Sequence, residues 1–144
     1  RGDYFLIGLD LRKPIAVLEP AYNDAAGVTA AFNLNLLQRM NRELGARFDA
    51  STFAHHAFYN MDQHQVEMHL RSTVAQEVRI SALEMRVAFD AGETIHTEIS
   101  RKFEPAEVRA QLASHGFTPR AQWADAREWF LVSLFQYTGA APTA

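Results

Sequence analysis

The apolar positions of this chain change their spacing as it proceeds, and the elements follow from those changes. Tyr4 to Leu9 is an almost unbroken apolar run closed by Asp10 and then by Arg12-Lys13-Pro14. A short continuous run of this kind predicts a strand buried on both faces, as in a parallel α/β sheet. The acidic residue just past such a strand falls at the edge where these sheets bind ligands. Pro14 suits the first turn of a helix through Ile15, Val17 and Leu18, and Pro20 with the turn-forming Asn23-Asp24 is expected to break it. Asp24 then suits an N-cap. From Ala25 the residues Val28, Phe32, Leu36, Leu37, Met40 and Leu44 recur at helical spacing, and Gly45 stands where a helix end wants a left-handed residue.

Beyond Phe48 the period drops to two. Phe53 to Asn60, Gln65 to Arg71, Gln76 to Ile80, Met85 to Phe89 and Thr94 to Phe103 read as antiparallel strands, with turns at Asn60, Asp62, Asp90 and Gly92. Glu104-Pro105 opens another helix, with Val108 and Leu112 inward and Gly116 at its end. Trp129 to Phe135 is a last apolar strand, and residues 139–144 read as a loose tail.

The 144 residues suffice for one sizeable core, which excludes a complete large two-domain enzyme. The chain enters an apolar segment at once from Arg-Gly-Asp, without an initiator Met or a signal-peptide layout, and is expected to be part of a longer protein. Fourteen Lys plus Arg against 17 Asp plus Glu, scattered rather than blocked, leave no nucleic-acid footprint and no basic membrane patch. No apolar stretch approaches the roughly 20 residues of a membrane span. The absence of Cys excludes disulfides, thiolate chemistry and Cys-ligated metals, and suits a cytoplasmic setting.

Strict alternation over Thr94 to Ser100 puts Thr94, His96, Glu98 and Ser100 on one strand face and Ile95, Thr97 and Ile99 on the other. Glu98 and Ser100 then stand roughly 7 Å apart, and a carboxylate beside a hydroxyl suits the two nitrogens of an imidazole. The same pattern also serves a merely solvated polar face. Tyr22, at a helix approach, offers a phenol to a ligand carboxylate or simply packs. Met68, on the face of Val66 and Leu70, walls a pocket or fills the core. His55-His56 and His64-x-x-Glu67-x-His69 invite a metal reading, but His55 and His56 point to opposite faces of a strand, as do His64 and His69, so three ligands do not converge without long-range help and no metal site is expected. No Gly-x-Ser-x-Gly elbow, phosphate loop or Gly-x-Gly-x-x-Gly is present.

The segments Gly8-Leu9-Asp10-Leu11, Ala21-Tyr22-Asn23-Asp24-Ala25-Ala26-Gly27-Val28-Thr29-Ala30-Ala31-Phe32-Asn33, Asn41-Arg42-Glu43-Leu44-Gly45-Ala46, Glu67-Met68-His69-Leu70, and Gly92-Glu93 leading to Thr97-Glu98-Ile99-Ser100 closely resemble the C-terminal half of the histidine-specific S-adenosylmethionine-dependent Nα-methyltransferases. The likeness runs over nearly the whole chain and is loosest after Phe103. The type member of that family makes hercynine, the first intermediate of ergothioneine biosynthesis.

The resemblance implies the C-terminal part of a class I methyltransferase sheet, Rossmann-like, with a mixed α/β substrate domain inserted; within this chain the fold class is α+β. Residues 1–12 would hold a strand of that sheet, 13–102 the major part of the substrate domain, and 103–144 the helix and strands that complete the sheet. It also implies substrate roles for Tyr22 at the amino-acid carboxylate, Met68 at the side-chain pocket, and Glu98 with Ser100 at the imidazole. S-adenosylmethionine would be held mainly by residues preceding this stretch. The implied reaction is trimethylation of L-histidine at its α-amino nitrogen, with no side chain of this chain acting as nucleophile. The chain alone would then be inactive and, with a sheet left incomplete, prone to self-association. The rival readings are a stand-alone amino-acid-binding module without chemistry, and an inactive fragment.

Overall fold

The computed structural model describes residues 2–139; Arg1 and most of the expected tail, 140–144, lie outside the described residues. In chain order the elements are β1 (Tyr4–Asp10), α1 (Ile15–Tyr22), α2 (Val28–Leu44), β2 (Phe53–Asn60), β3 (Gln65–Ser72), β4 (Gln76–Ile80), β5 (Met85–Phe89), β6 (Thr94–Arg101), α3 (Pro105–Ser114), β7 (Phe117–Ala124) and β8 (Phe130–Tyr137). The architecture is α+β and mostly antiparallel. It divides into two compact units: one of residues 1–14, 62–64 and 101–144, the other of 15–61 and 65–100.

The first unit holds a three-stranded sheet in the order β1-β8-β7. β1 runs antiparallel to β8, from Tyr4 opposite Gln136 to Asp10 opposite Phe130. Among the described residues β1 lies at the edge of its sheet and only one of its faces is covered, so the expected parallel neighbour and second covered face are not seen within this chain. Leu9, Leu11, Val108 and Leu131 form a buried cluster under α3 with Ile7, Phe103 and Leu112 against it, while Tyr4 and Leu6 are each 63% exposed. β7 is a strand that periodicity does not reveal; its pairing with β8 shifts register between Pro119 and Ala121.

The second unit carries the sheet β2-β3-β6 and the hairpin β4-β5. Its core is Leu37, Phe48, Phe53, Leu70, Val78, Ile80 and Phe89, with Phe53 and Phe89 edge-to-face at 5.6 Å between centroids. A second cluster of Leu18, Ala57, Val66 and Met68 lies under α1. Pro20 does not break α1, which runs on to Tyr22. α2 ends as expected at Gly45 with φ 59°, whose N–H returns to the Met40 carbonyl. Its start differs in detail: Gly27 is the geometric cap, and the Asp24 carboxylate reaches past it to accept from the N–H groups of Val28 and Thr29, both at 2.8 Å.

The apolar arc expected on α2 splits into two stripes. Leu37 is fully buried, with Leu34, Met40 and Leu44 beside it, whereas Val28 and Phe32 are 68% and 65% exposed. The buried stripe instead includes Asn33, whose amide nitrogen is bonded twice to the sheet below.

Candidate functional site

Tyr22 ends α1, and its phenol donates to the Ser100 hydroxyl at 2.7 Å. Residues 78 apart in sequence are thus brought into direct contact. The end of α1 is tied to β2 by three further bonds. Asn23 Nδ2 donates to the Ala57 carbonyl at 2.9 Å, the Tyr59 N–H to the Glu19 carboxylate at 3.0 Å, and His55 Nε2 lies 2.8 Å from the Tyr22 carbonyl. The last satisfies a carbonyl that the helix end leaves open, and the other two use side chains of α1 and its flank to satisfy backbone groups of β2.

Met68 is buried in the Leu18, Ala57 and Val66 cluster, against which Tyr22 and Tyr59 pack. It is core, and it also stands behind Tyr22. Glu98 is exposed and lines a hollow of about 190 Å³ with Thr97 and the α2 residues Phe32, Asn33, Asn35, Leu36 and Arg39. So Tyr22, Ser100 and Met68 are gathered round the end of α1, while Glu98 faces the α2 side.

The alternation expected across β6 does not hold throughout. The half-buried positions are Ile95, Thr97 and then Ser100, a step of two followed by one of three. Thr97 turns its hydroxyl to the Met68 carbonyl at 2.9 Å. His96 faces the other side of the sheet from Tyr22: it stacks on His69, which neighbours Met68 in the chain and therefore points oppositely. His96 accordingly does not share a face with Ser100.

That reverse face brings Glu67 and His69 of the His64-x-x-Glu67-x-His69 motif together with His96, the long-range partner that the motif did not reveal. Ligand atoms of Glu67, His69 and His96 lie within 4.8 Å of one another. The signal was the two-residue spacing of Glu67 and His69 on one strand face, with His96 supplied by the strand beside it. The geometry is that of a stack rather than a metal centre. The His69 and His96 rings are 4.4 Å apart and within 10° of parallel, so their in-plane lone pairs cannot converge on one ion. Glu67 is also engaged, accepting from Asn60 at 2.8 Å and Gln65 at 3.0 Å. Its carboxyl lies below the usual range, held down first by the Gln65 amide against an opposing effect of burial, then by Asn60 and His69.

In the first unit Asp10 is bonded by both Lys13 and Lys102, the latter at 2.6 Å with its side chain wholly buried. Burial pushes the Asp10 carboxyl up, but the two ammonium groups outweigh it and the net shift is downward.

A family described as "Histidine-specific methyltransferase, SAM-dependent" matches residues 1–137. The chain belongs to that family. Two curated relatives, each named histidine N-alpha-methyltransferase, are similar over 133 residues, or 92% of this chain. One, from Mycolicibacterium smegmatis (strain ATCC 700084 / mc(2)155), is 49% identical. The other, from Mycobacterium tuberculosis (strain CDC 1551 / Oshkosh), is 47% identical. The chain spans 41% of the length of each.

The cofactor in the family's description has requirements that can be set against the chain itself. Two junctions here lead from a strand into a helix, 11–14 before α1 and 102–104 before α3. Neither contains glycine, and Pro14 and Pro105 remove an N–H at each helix start. Neither junction offers the Gly-rich run of backbone N–H groups that favours an anionic ligand end at a helix start. Among the described residues no helix is long and apolar enough to cross a membrane.

Proposed function

We propose that this chain is the C-terminal, substrate-binding part of a longer S-adenosylmethionine-dependent amino-acid Nα-methyltransferase acting on L-histidine, with hercynine as the product of three successive methyl transfers. The single observation that carries this reading is the contact between Tyr22 and Ser100, formed inside a chain of this family. In this reading the unit of 15–61 and 65–100 holds the amino acid, and a Rossmann-like sheet is completed by residues outside the chain. The cofactor too is held mainly outside it.

The roles follow from the chemistry of each group. On substrate binding the Tyr22 phenol turns its one hydrogen from Ser100 to the substrate carboxylate, Glu98 accepts from an imidazole N–H, and the Ser100 hydroxyl, so released, donates to or accepts from the other ring nitrogen. Met68 supplies apolar wall behind them. The α-amino nitrogen is the nucleophile and must be neutral when it reacts, so this chain's contribution is to fix its distance and direction and to exclude water. No side chain of the chain takes part covalently.

The test is a methyl-transfer assay of the full-length protein against all the amino acids, with calorimetry of the isolated chain beside it. Histidine should be methylated in three steps in preference to the others, and the isolated chain should not take up S-adenosylmethionine. Micromolar one-to-one binding of the cofactor by the isolated chain would overturn the division of labour. Equal turnover of several unrelated amino acids would overturn the substrate.

A further inference from the structure

The buried amide of Asn33 dictates which nitrogen of His55 carries the proton. The His69 carbonyl can only accept, so the Asn33 nitrogen 3.1 Å from it is the donor end of that amide. Its second hydrogen meets His55 Nδ1 at 3.0 Å, which must therefore present a lone pair. The ring proton is left on Nε2, and Nε2 lies 2.8 Å from the Tyr22 carbonyl. Each atom of this relay has one permitted role.

Tyr22 is the last residue of α1, so its carbonyl lacks a partner within the helix. His55 provides one from β2, a strand paired with β3 along its whole length, and its ring, unlike a flexible amide chain, holds donor and acceptor at a fixed separation. The same residue's phenol reaches Ser100 at the other end.

We infer that His55 is a positioning residue for the amino-acid substrate. As a neutral Nε2–H donor it fixes the backbone of Tyr22, and through it the place of the phenol beside Ser100. This rests on the proposed roles of Tyr22 and Ser100, and the experiment separates the two.

In the full-length protein, His55→Leu should raise the KM for histidine about 3- to 10-fold, the effect of one ordinary hydrogen bond, with a smaller change in kcat. His55→Gln, which keeps an N–H donor, should recover most of the loss. Tyr22→Phe should raise KM by itself, and adding His55→Leu to it should cost little more, because the histidine acts through that side chain. Full additivity of the two, or no recovery with Gln, overturns the inference. If Tyr22→Phe is silent while His55→Leu is not, the role of Tyr22 falls; if both are silent, both readings fall. Nitrogen-15 NMR of the unaltered protein keeps the relay testable even if His55→Leu does not fold. It should report a pyrrole-type Nε2 and a pyridine-type Nδ1, and the opposite tautomer in the folded protein overturns the relay.

Discussion

Ser100 is already engaged by the Tyr22 phenol, whereas Glu98 faces an open hollow, so truncating the two has different consequences. A hydrogen bond to a charged group contributes about 1.5–3 kcal/mol, and each 1.4 kcal/mol is a factor of ten, so Glu98→Ala in the full-length protein should weaken histidine roughly 10- to 150-fold. The loss should depend on the substrate, because phenylalanine has no ring N–H to donate. Ser100→Ala should cost less, but it also frees the Tyr22 phenol and should therefore disturb carboxylate binding for every amino acid. Steady-state kinetics of both variants with histidine and phenylalanine check this. Equal damage by Glu98→Ala to both substrates, together with a lower Tm, would return Glu98 to a structural role.

At the scale of the elements, α2 depends on Asp24. The N–H and hydroxyl of Thr29 and the N–H of Val28 lower its carboxyl to about 2. A carboxyl depressed on folding contributes stability that is present above its unfolded pKa of about 4 and lost as the pH falls toward the folded value. The Tm of the protein should therefore drop between about pH 4 and 2, and the drop should be shallower in Asp24→Ala, which has no such contribution to lose. Melts across that range decide it; parallel curves for the two proteins would assign the acid sensitivity elsewhere.

How much was legible also differs by element. β2, β4 and β5 are bounded as their alternation predicts, β4 and β5 because one face lies on a core and the other is open, and β2 because its Phe53 and Ala57 face is the more deeply buried of the two. β7 was hidden: Pro119, Arg120 and Gln122 dilute its apolar pattern, and the register shift at Pro119 spoils its period. The continuous run in β1 signalled a strand but not its partner, since apolar side chains on both faces do not say which neighbour covers them. In β6 a change of step separated His96 from Ser100, which a strict count of two could not anticipate. The relay through His55 was equally out of reach, for it joins Tyr22, Asn33, His55 and His69 from four different elements.

At the scale of the whole molecule, the sheet of the first unit leaves Tyr4, Leu6, Trp123 and Phe130 substantially exposed, and β1 stands at its edge. Apolar surface of that kind beside an unpaired strand edge favours association with another chain. The isolated chain should therefore self-associate as its concentration rises, and the full-length protein should do so less. Sedimentation velocity over a concentration series checks this. A strictly monomeric isolated chain at high concentration would argue that the exposed face needs no cover.

Lys13 and Lys102 are the only lysines in the sequence, and the Asp10 carboxylate holds both. Their side chains are 11% and 0% exposed, so the positive charge on the described surface is carried by arginine. An ammonium group that is buried or ion-paired is a poor target for acylation, since the reagent needs a free lone pair on an accessible nitrogen. The folded protein should therefore resist N-hydroxysuccinimide esters at both positions and lose that resistance on unfolding, which makes lysine acylation, read by peptide mass, a measure of how often this end of β1 opens. Rapid modification of Lys102 under native conditions would mean that the strand end opens far more readily than its buried ion pair implies.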